Sequence, residues 1–183
     1  MNPLIFGRKA GLCAALSTLL LTACSTSSRW VPDMPDFSSW FSAKENQVIV
    51  SEVDSDSYCN APGDASALTL LADSAAVKAW EASRGVSLSG EGELPAGPYV
   101  IVDLGQRSSG GYGIAVSRQA GLKDDILVLR ATVFEPSPGG MSTQAITSPC
   151  SLVRLPQMSF ASLRLIDQTG KVRASLQQGN KVQ

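Results

Sequence analysis

Apolar residues along much of the chain recur at every second position, the spacing of half-buried strands. Tyr112, Ile114 and Val116 alternate with small residues, and the stretch 126–134 sets Leu127, Leu129, Ala131 and Val133 on one face. Residues 99–104 form a near-continuous apolar run. Shorter strand candidates occupy 47–53, 68–71, 150–155, 162–167 and 171–176. Gln168-Thr169-Gly170 joins the last two, with Gly170 where a hairpin needs a positive φ. One stretch breaks the period. Asp73 is a good N-cap for a helix over 74–84, Val77 and Trp80 supply its buried edge, and Gly85 its C-terminal stop. The pattern predicts an α+β, mainly β domain over 47–183. Its principal helix, about 74–84, is expected on one face of an antiparallel sheet.

The N-terminal end follows another logic. Arg8 and Lys9 precede an uncharged, Leu- and Ala-rich run over 10–21, which has the length of a signal-peptide h-region. At about 12 residues it is short of the roughly 20 that span a bilayer as a helix. Leu21-Thr22-Ala23-Cys24 then resembles the lipobox of bacterial lipoproteins. That resemblance implies a signal peptide over 1–23 and a lipid on Cys24. With Ser25 rather than aspartate next, it implies an outer-membrane anchor with the domain on the periplasmic face, surface exposure being the other orientation. Two or more acyl chains anchor stably, whereas one binds marginally. Residues 24–46 read as a tether, stiffened by Pro32 and Pro35. Phe37, Trp40 and Phe41 stand at i, i+3 and i+4 within it, behind a possible cap at Asp36. That aromatic face docks on the domain, on the membrane or on a partner.

Composition then excludes several functions. The chain of 183 residues has 15 basic and 16 acidic residues and no histidine. There is no basic excess to neutralise phosphates, so nucleic acid is not an expected partner. Loss of Arg8 and Lys9 with the leader leaves a net charge of −3, and only the lipid draws the domain to a membrane. Without histidine the chain lacks the usual general base and the commonest metal ligand. Ser-x-x-Lys, Gly-x-Ser-x-Gly and Cys-x-x-Cys are absent. The stretch 105–111 lacks the Lys and Ser/Thr of a phosphate loop, and 54–65 lacks the Gly and closing Glu of a calcium loop. No catalytic residue, metal or cofactor is expected.

With Cys13 in the leader and Cys24 lipidated, Cys59 and Cys150 remain. In an oxidising compartment they are expected to form a disulfide, the alternative being two buried thiols.

Two segments carry the remaining information. Residues 104–114 form a Gly-rich turn between apolar strands, which reads as a tight or bulged reversal restarted by Tyr112. Residues 134–150 form a Pro/Gly loop too long for a minimal hairpin and unsuited to helix. Loops on a rigid scaffold commonly hold recognition residues. Arg107, Gly110, Gly111, Tyr112, Gln144 and Thr147 are the candidate partner-binding residues.

Together these segments resemble the C-terminal domain of the PrcB family, lipoproteins named as subunits of a protease complex. The matching residues are Gly105, Arg107, Gly110, Gly111, Tyr112 and Ile114, then Pro138, Gly139, Thr143, Gln144, Ile146, Thr147, Pro149, Val153, Arg154 and Pro156. They fall within 99–157. Ser108 and Ser109 stand where the family prefers Pro and Thr, and Cys150 where an aromatic is common. The resemblance implies a non-enzymatic accessory subunit that stabilises or assists a secreted protease or another envelope protein. The alternatives are an inhibitor that inserts the Gly-Gly-Tyr turn into a protease cleft and, further off, a carboxylate- or Ser/Lys-based hydrolase.

Overall fold

The computed structural model of the chain describes residues 45–178. The described strands are β1 (Asn46–Ile49), β2 (Ser51–Asp56), β3 (Ala67–Leu71), β4 (Tyr99–Asp103) and β5 (Gly113–Val116). They continue with β6 (Gln119–Lys123), β7 (Ile126–Phe134), β8 (Cys150–Arg154), β9 (Ser162–Asp167) and β10 (Val172–Gln177), and the helix α1 spans Ser74–Arg84. The expected signal peptide over 1–23 and the expected tether up to residue 44, with Cys24, lie outside the described residues. No helix among the described residues is long and apolar enough to cross a membrane.

The strands form two sheets, which corrects the expectation of one. Sheet A runs β1-β6-β7-β9-β10, with β5 also on β7; sheet B runs β2-β8-β4-β3. Nine residues make β7 long enough to pair with β6 at its start and β5 at its end. The pairs are antiparallel except β7–β9, which is parallel from Ile126↔Ser162 to Ala131↔Asp167. The chain leaves β7 for β8 in sheet B and returns to sheet A as β9. A parallel neighbour requires such a crossover.

The apolar core between the sheets includes Val100, Val102 and Val153 of sheet B and Leu127, Leu129, Val133, Leu163 and Leu165 of sheet A. Burying each such side chain contributes about 1.5–3 kcal/mol. On the far side of sheet B, Tyr99, Ile101 and Leu152 pack with Val77 and Trp80 of α1. Sheet B is therefore covered on both faces, and β4 is buried at every position. That is the cause of its near-continuous apolar sequence, since alternation survives only where one face meets water.

The helix has the bounds and caps read from the sequence. The Asp73 carboxylate accepts from the Ala76 N–H at 2.8 Å, and Gly85 closes the helix in the left-handed region at φ 65°. Buried Glu81 accepts from the Leu88 and Ser89 N–H groups at 2.7 and 2.6 Å and so fixes the chain leaving α1. Gln168-Thr169-Gly170 does turn β9 into antiparallel β10, with Gly170 at φ 82°.

Two local readings change. The stretch 47–53 is not one strand, because the chain passes from sheet A to sheet B at buried Val50, whose N–H donates to Arg118 O at 2.9 Å. Strand β6 lacks a β-branched or aromatic run, so its signal was weak. It is set by a two-residue turn into β7, Asp124-Asp125, with φ 49° and 60°. Positive φ at both central residues is the type I′ hairpin turn.

Candidate partner-binding site

The Gly-rich segment is not a hairpin. It carries the chain from β4 in sheet B to β5 in sheet A. Gly105 makes the first bend at φ 81°, where a Cβ would lie 2.5 Å from the Asp64 backbone. Only glycine fits such a close backbone approach. The Gly105 N–H donates to the Asp103 carboxylate at 2.8 Å. Burial pushes the Asp103 carboxyl above its ordinary pKa, against the pull of this bond and of Arg84 and Arg107.

Beyond the bend the segment is zipped to the second loop. The Arg107 and Thr147 backbones exchange two hydrogen bonds, and the Gly110 N–H donates to Thr143 O at 2.8 Å. Thr147 Oγ1 donates to Ser109 O at 2.9 Å. A Cβ on Gly110 would sit 2.2 Å from Thr143 Oγ1, and one on Gly111 3.2 Å from Pro136. The loop after β7 reverses first at Ser137–Gly140, where the Gly140 N–H returns to Ser137 O at 2.9 Å and Gly139 has φ 74°. It then runs back along 107–110 into β8.

A third segment straps the same end. Gln106 donates to Gly63 O and Ala61 O, and Arg107 Nη1 to Asp64 O at 3.1 Å; Arg107 Nη2 also donates to Leu104 O. The Arg107 guanidinium lies 5.8 Å from the centre of the Tyr112 ring, within cation–π range. Cys59 and Cys150 form a disulfide, with Cα atoms 5.9 Å apart, buried against α1 and sheet B. It joins the 57–66 strap to the first residue of β8. Flanking it, the Cys59 N–H donates to Ser148 O, and the Ser148 N–H to Ser57 O.

Four large apolar side chains stand exposed on these segments, among polar neighbours such as Ser57, Glu135 and Gln144. Tyr58 (57% exposed), Phe134 (51%), Ile146 (69%) and fully exposed Met141 belong to the strap, the end of β7 and the second loop. Tyr58 bridges to Ser148, and the Phe134 ring packs on Gly113. Phe134 also walls a cleft of about 140 Å³ shared with Ser55, Asp56, Ser57, Gly113, Ile114, Pro149 and Cys150. That is below the about 300–1,000 Å³ of small-molecule sites, and suits one inserted side chain. A second, open cleft of about 380 Å³ follows the same side, lined by Ser51, Glu52, Val116 and Arg118. There Glu52 accepts from the Ser151 hydroxyl at 2.7 Å and the Val116 N–H at 3.3 Å, linking the two sheets. Among the described residues no three Cys, Asp or Glu converge as metal ligands would.

With this geometry in place, comparison with known proteins identifies the crossover and the strands it connects. Residues 98–156 match the PrcB C-terminal family. No curated protein and no solved structure matches the chain. The PrcB C-terminal match covers about a third of the sequence and runs from β4 to the end of β8. It therefore holds both central strands of sheet B, the long strand of sheet A and both knitted loops. Strands β1, β2, β3, β9 and β10 and the helix complete the sandwich from outside it.

The structure brings Arg107, Gly110, Gly111, Tyr112 and Thr147 together, but gives them unequal access. Gly110 and Thr147 are buried, and Thr147 spends its hydroxyl on Ser109. Arg107 and Tyr112 are half-buried on each other, whereas Gly111 and Gln144 are exposed. Sequence reasoning singled out the loop over 134–150 without naming Phe134, Met141 or Ile146 as its contact residues, and it missed Tyr58 altogether. Their signal was large apolar side chains inside otherwise polar or Pro/Gly-rich stretches.

Proposed function

We propose that this protein is a lipid-anchored accessory subunit without catalytic activity of its own, and that it binds a protein component of a protease complex. The observation that carries the reading is the exposure of four large apolar side chains, Tyr58, Phe134, Met141 and Ile146, on segments tied down by the Arg107–Thr147 pairing and the disulfide. Preformed loops bind with little ordering cost, and exposed aromatic anchors carry much of the energy in protein interfaces. The PrcB C-terminal match supports a protease-complex partner. The Gly110–Tyr112 turn, held along the second loop with Gly110 buried and Tyr112 half-buried, suits a supporting element better than an inhibitory insert.

In this reading Cys24 carries the lipid, and the domain faces the periplasm from the outer membrane. Labelling cells with a radioactive fatty acid tests the anchor. Wild type takes up label and fractionates with outer membrane, whereas Cys24→Ala does neither; unlabelled, soluble wild type would refute it. Affinity capture of the full chain after crosslinking in cells tests the partner. A protease or its precursor is expected with wild type and lost with Ile146→Asp, and capture unaffected by Ile146→Asp would contradict the assigned surface.

A further inference from the structure

We propose that the aromatic segment at residues 37–41 packs on the outer face of sheet A, held there by the Glu45–Arg130 ion pair. One face of sheet A forms the core with sheet B. The other face carries Ile126, Val128, Arg130 and Thr132 of β7, exposed Arg164 and half-buried Ile166 of β9, and Val172 and Ser175 of β10. A sheet face turned to water is normally polar. Here Ile126, Val128 and Ile166 are half-buried, and Arg130 is only 4% exposed.

The chain before β1 enters over this face. Glu45 Oε2 accepts from Arg130 Nη2 at 2.6 Å. It reaches Arg130 by lying across Gly121 of β6, where a Cβ would stand 2.6 Å from the same oxygen. Ile166 pairs directly with Arg130, and Val172 with Ile166. Phe41 is four residues before Glu45, a reach of at most about 14 Å in extended chain. Neighbouring strands are about 4.8 Å apart, so Trp40 and Phe41 reach both β7 and β9. Phe37, Trp40 and Phe41 recur at i, i+3 and i+4, the spacing that gives a helix one apolar side. An apolar side of that width and the apolar patch of Ile126, Val128 and Ile166, joined by a short link, bury each other.

Hydrogen exchange of the full chain in detergent micelles, read by mass spectrometry, tests this. Amides 38–44 are expected to exchange at least about tenfold slower than unstructured chain. Val128→Asp should release them while the helix at 74–84 keeps its protection. Unprotected amides in wild type would overturn the proposal. So would protection that Val128→Asp leaves intact, which would mean that detergent or lipid covers the segment. A photo-crosslinker in place of Trp40 decides independently of how well Val128→Asp folds. Links to 126–134 or 162–167 of the same chain are expected; links only to detergent or to a second copy would overturn it.

Discussion

Arg107 and Thr147 exchange both backbone hydrogen bonds, N to O at 2.8 and 3.0 Å, between segments remote in sequence. The pair joins the crossover from β4 to the loop entering β8 and turns two Gly-rich loops into one rigid surface. The Thr147 hydroxyl, buried at 3% exposure, completes it by donating to Ser109 O. Thr147→Val keeps the shape and leaves that carbonyl without its donor. A loss of about 1–2 kcal/mol is expected in urea unfolding. Gln144→Ala, on the exposed side of the same loop, should stay within about 0.5 kcal/mol of wild type.

Gly105→Ala should be the more damaging change in this region. It forces a side chain into positive φ and against the Asp64 backbone, which has no flexible end to yield. A loss of about 2 kcal/mol or more is expected from the strained φ and the overpacking together. Gly110→Ala should cost less, because Thr143 Oγ1 is a side-chain atom that can rotate away. Thermal melts of the two variants side by side check the order.

Much of the fold could be read from the sequence because single residues enforce it locally. Asp73 and Gly85 bound the helix, and Gly170 permits its hairpin. The partition into two sheets was not legible. Nothing in the run of 47–53 marks Val50 as the point of crossing, since one β-branched residue suits either sheet. The Gly-rich segment misled for a related reason. Gly105 permits a sharp bend, but whether that bend closes a hairpin or crosses between sheets depends on Asp64 and Thr147, far along the chain. The candidate site divided in the same way. Its glycines and Thr147 stood out by pattern and hold the loops together, whereas Tyr58, Phe134 and Met141 lie in no motif, Ile146 matched only as part of the family pattern, and all four stand exposed.

The Cys59–Cys150 disulfide spans a sequence separation of 91 residues. Replacing both cysteines by serine should cost up to about 4–5 kcal/mol on the chain-entropy account. Mass spectrometry of unreduced, alkylated protein should find neither cysteine alkylated.

Acid should weaken the β9–β10 hairpin. Burial pushes the Asp167 carboxyl up, but bonds from the Thr169 hydroxyl, Arg173 and the Thr169 and Lys171 N–H groups outweigh it and hold it at about 2. A depressed folded-state pKa gives stability that is present above the unfolded value of 3.8 and is lost as pH falls towards 2. The contribution at neutral pH is about 2 kcal/mol. Urea unfolding at pH 6, 4 and 2 should show the gap between wild type and Asp167→Asn narrowing across the lower two.

The loop end of the sandwich, where Ile146 stands exposed, is the face assigned to a protein partner. A photo-crosslinking amino acid placed at Ile146 in living cells, with the same probe at exposed Val172 as reference, tests it most directly. One discrete adduct containing a protease or its precursor is expected from position 146, and none from 172. Adducts that are absent at 146, or the same from both positions, would contradict it.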